Sequence, residues 1–256
     1  MKSLLLGILV LILALLIAGA VALGAANLGI DRTATKNHTV FGAVREIVVK
    51  PGSGDVEFVP GGQLLRIRES QHYVISKPKL ERTRRNGVLT IDTGCDDTLR
   101  GVVPCYSDLR VSVPRGVKLT VETGRGDVDI TGVGVRRAHV ETGSGDIEFG
   151  GLTGDPSLLW AHSQSGDIEL VVANARAVDA HSDSGDIDVD IAAKPRRVAA
   201  RSNSGDIRLT LPRGIYAVRA RTGSGDLAVR GILRNRTSAS TLDVRSESGD
   251  VELRPR

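Results

Sequence analysis

The chain has 256 residues, of which 30 are glycine; 41% are hydrophobic, 25% charged and only 3% aromatic. That balance suits a globular protein of one large domain or two small ones, and the scarcity of rings argues against an aromatic core and against surfaces that stack bases or sugars. A formal net charge of +4 allows weak attraction to anionic polymers or lipid headgroups but is too mild for dedicated nucleic-acid binding, which is not expected.

After Lys2 no charged residue occurs before Asp31, and the stretch between them begins aliphatic and ends in small residues. Ala18-Gly19-Ala20 and Ala20-Val21-Ala22 both fit a signal-peptidase site behind a short apolar core. The uncharged run is nevertheless longer than the ~20 residues that span a bilayer. Residues 1–31 are therefore expected to form one hydrophobic helix acting as a signal-anchor, with a cleaved signal peptide as the alternative. Lys2 gives little orientation by the positive-inside rule, because Arg32 and Lys36 follow the segment. The expected location is the cell membrane, single-pass, with the C-terminal domain outside the cytoplasm; the alternative is secretion.

Residues 32–116 read as an irregular β cap. EIVVKPGSGDVEFVP is followed by LLRIRES, HYVISKP and VLTID, short apolar alternations separated by turn residues. The cap contains the chain's two cysteines, Cys95 and Cys105, in GCDDTLRGVVPC. In an exported protein, two thiols closing one short loop predict a disulfide, worth roughly 2–3 kcal/mol by loop entropy. Two cysteines alone are too few for a structural zinc site.

From residue 117 to the end the chain repeats itself. The glycines of Ser-Gly-Asp-like units fall at Gly126, Gly145, Gly166, Gly185, Gly205, Gly225 and Gly249, spaced by 19, 21, 19, 20, 20 and 24 residues; an eighth copy, PGSGDVEF, stands apart at Gly54. Aligned on the glycine, the positions two and four after it and five and seven before it are apolar in all seven copies, as in Ile187, Val189, Ala180 and Val178. Period-two alternation on both sides of a turn predicts two half-buried strands per repeat. A unit of about 20 residues cannot bury its own apolar face and must stack on its neighbours. The predicted fold is all-β: a parallel β-solenoid of seven ~20-residue coils, with equivalent residues ~4.8 Å apart along the axis. A Thr/Ser column three residues before the glycine shares the parity of the core positions and is expected to bond turn backbone or its own neighbours.

Stacking also aligns Asp146, Asp167, Asp186 and Asp206 with their counterparts in the other coils. Like charges at that spacing repel, so something must offset them. The expected answer is that the side chains bond turn amides. The weaker alternative is a row of calcium sites, aided by a second acidic column of Asp129, Glu148, Glu169, Asp188 and Glu252. No cofactor is expected. Four residues before the glycine the column runs Glu122, Glu141, His162, His181, Arg201, Arg221 and Arg245. A salt-bridged surface is the default reading; His162 and His181 would be stacked neighbours, two metal-ligating or pH-sensing groups without a third. Arg125-Gly126-Asp127 occupies the ordinary turn slot, which accounts for it without receptor recognition. The repeat runs nearly to Arg256, leaving little chain for a C-terminal cap, so self-association through that edge is a candidate.

The units TGSGDIEF, QSGDIEL and NSGDIRL behind a hydrophobic N-terminus resemble the bacterial "putative adhesin" domain of unknown function over roughly residues 40–256. The resemblance implies a β-helical envelope protein with no established catalytic site. Two classes of function follow. The first is a non-enzymatic surface protein, adhesin-like or a scaffold, presenting a repetitive face to an unidentified envelope ligand. The second is a polysaccharide-active β-helix enzyme, which needs acids converging at one place, or else a partner in envelope-stress signalling. Acids recur in every coil and Trp160 is the only tryptophan, so the non-enzymatic reading is preferred.

Overall fold

The structure is a computed structural model that describes residues 32–95 and 104–256. The predicted N-terminal helix and its membrane or signal role lie outside the described residues, among which no helix is long and apolar enough to cross a membrane. Every element among the described residues is a strand. In chain order they are β1 (Arg32–Val40), β2 (Glu46–Pro51), β3 (Val56–Pro60), β4 (Leu65–Tyr73), β5 (Lys79–Arg85), β6 (Val88–Gly94), β7 (Cys105–Val113), β8 (Val117–Thr123), β9 (Val128–Thr131), β10 (Val135–Thr142) and β11 (Ile147–Gly150). There follow β12 (Leu158–Ser165), β13 (Ile168–Val172), β14 (Ala177–Ser184), β15 (Ile187–Ile191), β16 (Arg197–Ser204), β17 (Ile207–Leu211), β18 (Ile215–Ser224), β19 (Leu227–Val229), β20 (Leu233–Arg234), β21 (Thr241–Ser248) and β22 (Val251–Pro255).

The alternation in the sequence becomes alternation in burial. Along β15, Ile187, Val189 and Ile191 are buried while Asp188 and Asp190 face outward. Each repeat contributes one strand to each of two sheets, with the Ser-Gly-Asp turn between them. The first sheet has the order β1-β4-β7-β3-β9-β11-β13-β15-β17-β22-β19, and the second β20-β18-β21-β16-β14-β12-β10-β8-β2-β6-β5. Pairing is parallel and in register across the repeats, so Ile168 lies against Ile187 and Ile187 against Ile207. The core between the sheets is a stack of identical or similar aliphatics, in which Phe58, Phe149 and Tyr216 are the bulkiest fully buried side chains.

The coils do not stack in chain order. At the C-terminal side, β21 and β22 insert between the β16/β17 coil and the β18/β19 coil. The last coil of the chain is thus the second-last of the stack, and the edge is formed by residues 215–234. The 24-residue gap between Gly225 and Gly249 is explained by this detour, in which residues 230–240 run back across the terminal coil. Tyr216 fixes its start: the ring is buried, its hydroxyl donates to the Pro212 carbonyl at 2.8 Å, and burial raises the phenol's pKa.

The other end carries a second departure. The copy at Gly54 belongs to the stack: β2 and β3 pair in parallel with β8 and β9. Residues 46–60 therefore form a regular coil within the segment expected to be irregular. Outside it lies a coil of β6 and β7, and antiparallel strands then close the end, β4 on β7, β1 on β4 and β5 on β6. Cys95, directly after β6, and Cys105, the first residue of β7, are disulfide-bonded, with Cα atoms 6.1 Å apart.

Candidate functional site: the turn ladder and the terminal coil

The Ser-Gly-Asp turn is built by contact between coils. A Cβ on Gly185 would lie 2.2 Å from the Gly166 carbonyl oxygen, and one on Gly205 2.1 Å from that of Gly185. Only glycine allows the turns to approach this closely. The neighbouring aspartate ties each turn to the next. The amide of Asp146 donates to Asp127 Oδ1 at 2.8 Å, that of Asp167 to Asp146 at 2.8 Å, that of Asp186 to Asp167 at 2.7 Å and that of Asp206 to Asp186 at 2.7 Å. The ladder continues to Asp250 and Asp226 at one end and to Asp55 and Asp108 at the other. On the core side the Ser/Thr column completes the turn: Ser163, Ser182 and Ser202 each donate to the glycine carbonyl of an adjacent coil at 3.0 Å. Asp146, Asp167, Asp186 and Asp206 thus form one line, each with an oxygen on a backbone amide. Asp127 of the Arg-Gly-Asp tripeptide is a rung of the same ladder.

Outside the turns, charge is arranged in rows. Arg208 lies between Asp188 at 3.2 Å and Glu252 at 3.7 Å, and these hydrogen bonds and charges raise its guanidinium pKa further. Glu148 has Asp129 on one side and Glu169 on the other in strict register; burial first, and then these two carboxylates, raise its pKa. The row four residues before the glycine begins with Lys50 on Glu122 at 2.7 Å and reaches His162 and His181, whose rings stack at 4.9 Å. His139 stacks on Trp160 at 3.9 Å, and burial lowers its pKa. Arg201 lies 3.9 Å from Asp179 and 3.3 Å from Asp243, the lateral neutralisation expected of such rows.

The terminal coil differs from all of these. Leu227 is 48% exposed where its equivalents Ile187 and Ile207 are 1% exposed, and Ile215 and Leu233 are exposed beside it. β20 covers β18 only at Ile215 and Tyr216, so the rest of that strand and all of β19 are open edges. Residues 212–240 contain six arginines, Arg213, Arg219, Arg221, Arg230, Arg234 and Arg236, against one acid, Asp226. All six are exposed, and none makes an ion pair among the described residues.

Two features had no clear sequence signal. In the cap, β4 places Glu69 and Gln71 at buried positions where the pattern calls for aliphatics. Gln71 and Ser107 donate to Glu69 Oε1 at 2.7 and 3.3 Å, and His38 Nε2 lies 3.2 Å from Oε2. The second feature is the basic terminal coil, hidden because its sequence copies the buried coils so closely.

Among solved structures, similar chains include a "putative adhesin" from Bacteroides fragilis, 14% identical over 87% of this chain and 97% of that one with a TM-score of 0.49. A "putative cell adhesion protein" from Clostridium sporogenes is 12% identical over 88% and 100%, with a TM-score of 0.42. A "putative lipid binding protein" from Parabacteroides distasonis is 13% identical over 86% and 96%, with a TM-score of 0.40. No curated protein matches significantly. The sequence profile of the Toastrack DUF4097 family matches residues 38–254, and the chain with its two-sheeted stack of coils belongs to that family.

Proposed function

We propose that this is a non-enzymatic, membrane-held envelope protein, an adhesin-like scaffold whose terminal coil binds an anionic envelope polysaccharide. One observation carries the reading: six exposed arginines, none ion-paired among the described residues, gathered in the terminal coil and the segment that returns across it at one end of the stack, with Arg219 and Arg221 on the open strand β18. Elsewhere the Ser-Gly-Asp signature is consumed in joining coils, and arginines such as Arg201 and Arg208 are neutralised by neighbours. β1, which follows the hydrophobic segment in the chain, lies at the opposite end of the stack. Eleven strands at ~4.8 Å separate the two ends by roughly 45–50 Å, which carries the basic end away from the chain's own membrane. The few aromatics favour recognition by charge over ring stacking.

The test is binding of the full chain, in detergent micelles, to immobilised anionic and neutral envelope polysaccharides. Binding to the anionic set, weakened by salt and by the triple change Arg219→Glu, Arg221→Glu, Arg230→Glu, is expected. Binding that the triple variant retains removes the terminal coil from the reading. Concentration-dependent association of the parent without polysaccharide binding points instead to copies joining through this edge. The basic residues Lys79, Arg82, Arg84 and Arg85 on the opposite end, accompanied only by Glu81, oppose head-to-tail contact.

A further inference from the structure

The outer face of the second sheet holds a group of side chains that neither the turn ladder nor the terminal coil uses. His162 on β12 and His181 on β14 are direct register partners. Asp183 lies two residues beyond His181, on the same face by strand parity, with Oδ1 3.4 Å from His181 Nε2. One ligand atom from each of His162, His181 and Asp183 lies within 4.8 Å of the other two. The third group that the two histidines lack in the sequence pattern is thereby present.

The surroundings orient these groups. Glu141 Oε1 is 3.9 Å from His162 Nδ1, and Asn203 donates to Asp183 Oδ1 at 3.1 Å. His162 Nε2 is buried without a hydrogen-bond partner, a costly state for a polar nitrogen. Arg201, next to His181 in register, is compensated by Asp179 and Asp243. Two imidazoles and one carboxylate are a donor set for borderline divalent transition metals, whereas calcium prefers six or more oxygens.

We propose that His162, His181 and Asp183 bind a divalent transition metal, Zn²⁺ foremost, with at least one coordination position left to water or to a donor from a ligand. Tetrahedral Zn²⁺ needs ligand atoms about 3.4 Å apart. On this proposal, side-chain rotations of the partly exposed His162, His181 and Asp183 supply that closure. A carboxylate behind one imidazole and an amide behind the metal-binding carboxylate are the outer contacts that tune such sites.

The chain carries its own reporter, since its sole tryptophan, Trp160, meets His162 edge-on with ring centroids 5.9 Å apart. The experiment titrates metal-stripped full chain, in micelles, with Zn²⁺ by calorimetry and with Cu²⁺ by Trp160 quenching. One Zn²⁺ per chain and saturable quenching are expected, with Ca²⁺ giving neither. Asp183→Asn and His181→Asn should each weaken Zn²⁺ by more than about tenfold, and Glu141→Gln by about tenfold. His139→Asn alters the other face of Trp160 and should leave the affinity unchanged. Asp183 is at the surface, so its variant is expected to fold; equal circular dichroism and melting confirm that. Zn²⁺ affinity unchanged in Asp183→Asn and His181→Asn, or the absence of saturable binding in the parent, overturns the site.

Discussion

Asp186 accepts the backbone amide of Asp206 at 2.7 Å while its own amide donates to Asp167 at the same distance. The aspartate is therefore both rung and rail, and the amide donors offset the repulsion between carboxylates in line. Asp186→Asn keeps an oxygen for the Asp206 amide and should change stability by less than about 0.5 kcal/mol. Asp186→Ala leaves that amide unpaired and should cost about 1–2 kcal/mol. Urea unfolding of both variants separates them. If Asn costs as much as Ala, the charge itself matters, and a large calcium-induced rise in melting temperature that Asp186→Asn abolishes would make the line a metal row.

Gly185 and Gly151 test why the turn needs glycine. Gly185 has its neighbour's carbonyl oxygen where a Cβ would go, whereas Gly151, at φ 54°, has nothing within 4 Å. Gly185→Ala must push two coils apart and should cost about 2–4 kcal/mol. Gly151→Ala meets only the left-handed backbone penalty, about 1 kcal/mol. A loss at Gly185 no larger than that at Gly151 by chemical denaturation would show that the coils can part at this turn at little cost and that close approach does not demand glycine.

Ile187 and Leu227 occupy one sequence column and two environments, 1% and 48% exposed. Ile187→Asp places a charge in the stack and should cost several kcal/mol or prevent folding. Leu227→Asp should cost less than about 1 kcal/mol. Comparable destabilisation of the two would mean that the β18/β19 coil is covered and is not the end of the stack.

That contrast marks how far the sequence could be read. Strand pairs, core columns and turns are local consequences of period-two patterning, and they appear at Ile168, Ile187 and Ile207 as expected. The order of coils along the axis is not local. β21 fits against β16 as well as β18 would, because Leu242, Val244 and Ser246 repeat the same column types as Val218, Ala220 and Thr222. Only the 24-residue gap hinted at an insertion. The copy at Gly54 was equally detached, since 72 residues separate Lys50 from its ion-pair partner Glu122. Asp183 has no acidic column in the sequence, because the equivalent residues beside it are Gln164 and Asn203. Glu69 and Gln71 sit inward through the register of an antiparallel cap strand, which the repeat does not encode.

The row containing Glu148 gives a pH-dependent test with opposite signs at two positions. Glu148 has the acids Asp129 and Glu169 as its two register neighbours and no ion pair among the described residues, and burial and these carboxylates raise its pKa. A carboxyl whose pKa is raised on folding is favoured protonated in the fold. Its contribution is therefore fully present below the ordinary carboxylate range and is lost as pH rises through the folded pKa. At pH 7 the ionised Glu148 opposes the stack, so Glu148→Gln should melt above the parent, and the difference should vanish near pH 3. Asp188, two coils along the same row, has Arg208 at 3.2 Å, so Asp188→Asn should lower the melting temperature at pH 7 by a small amount, as befits an exposed pair. Paired melting curves at the two pH values for both variants decide it. If Glu148→Gln melts below the parent at pH 7, its carboxylate is stabilised rather than repelled there, and the row must hold a cation.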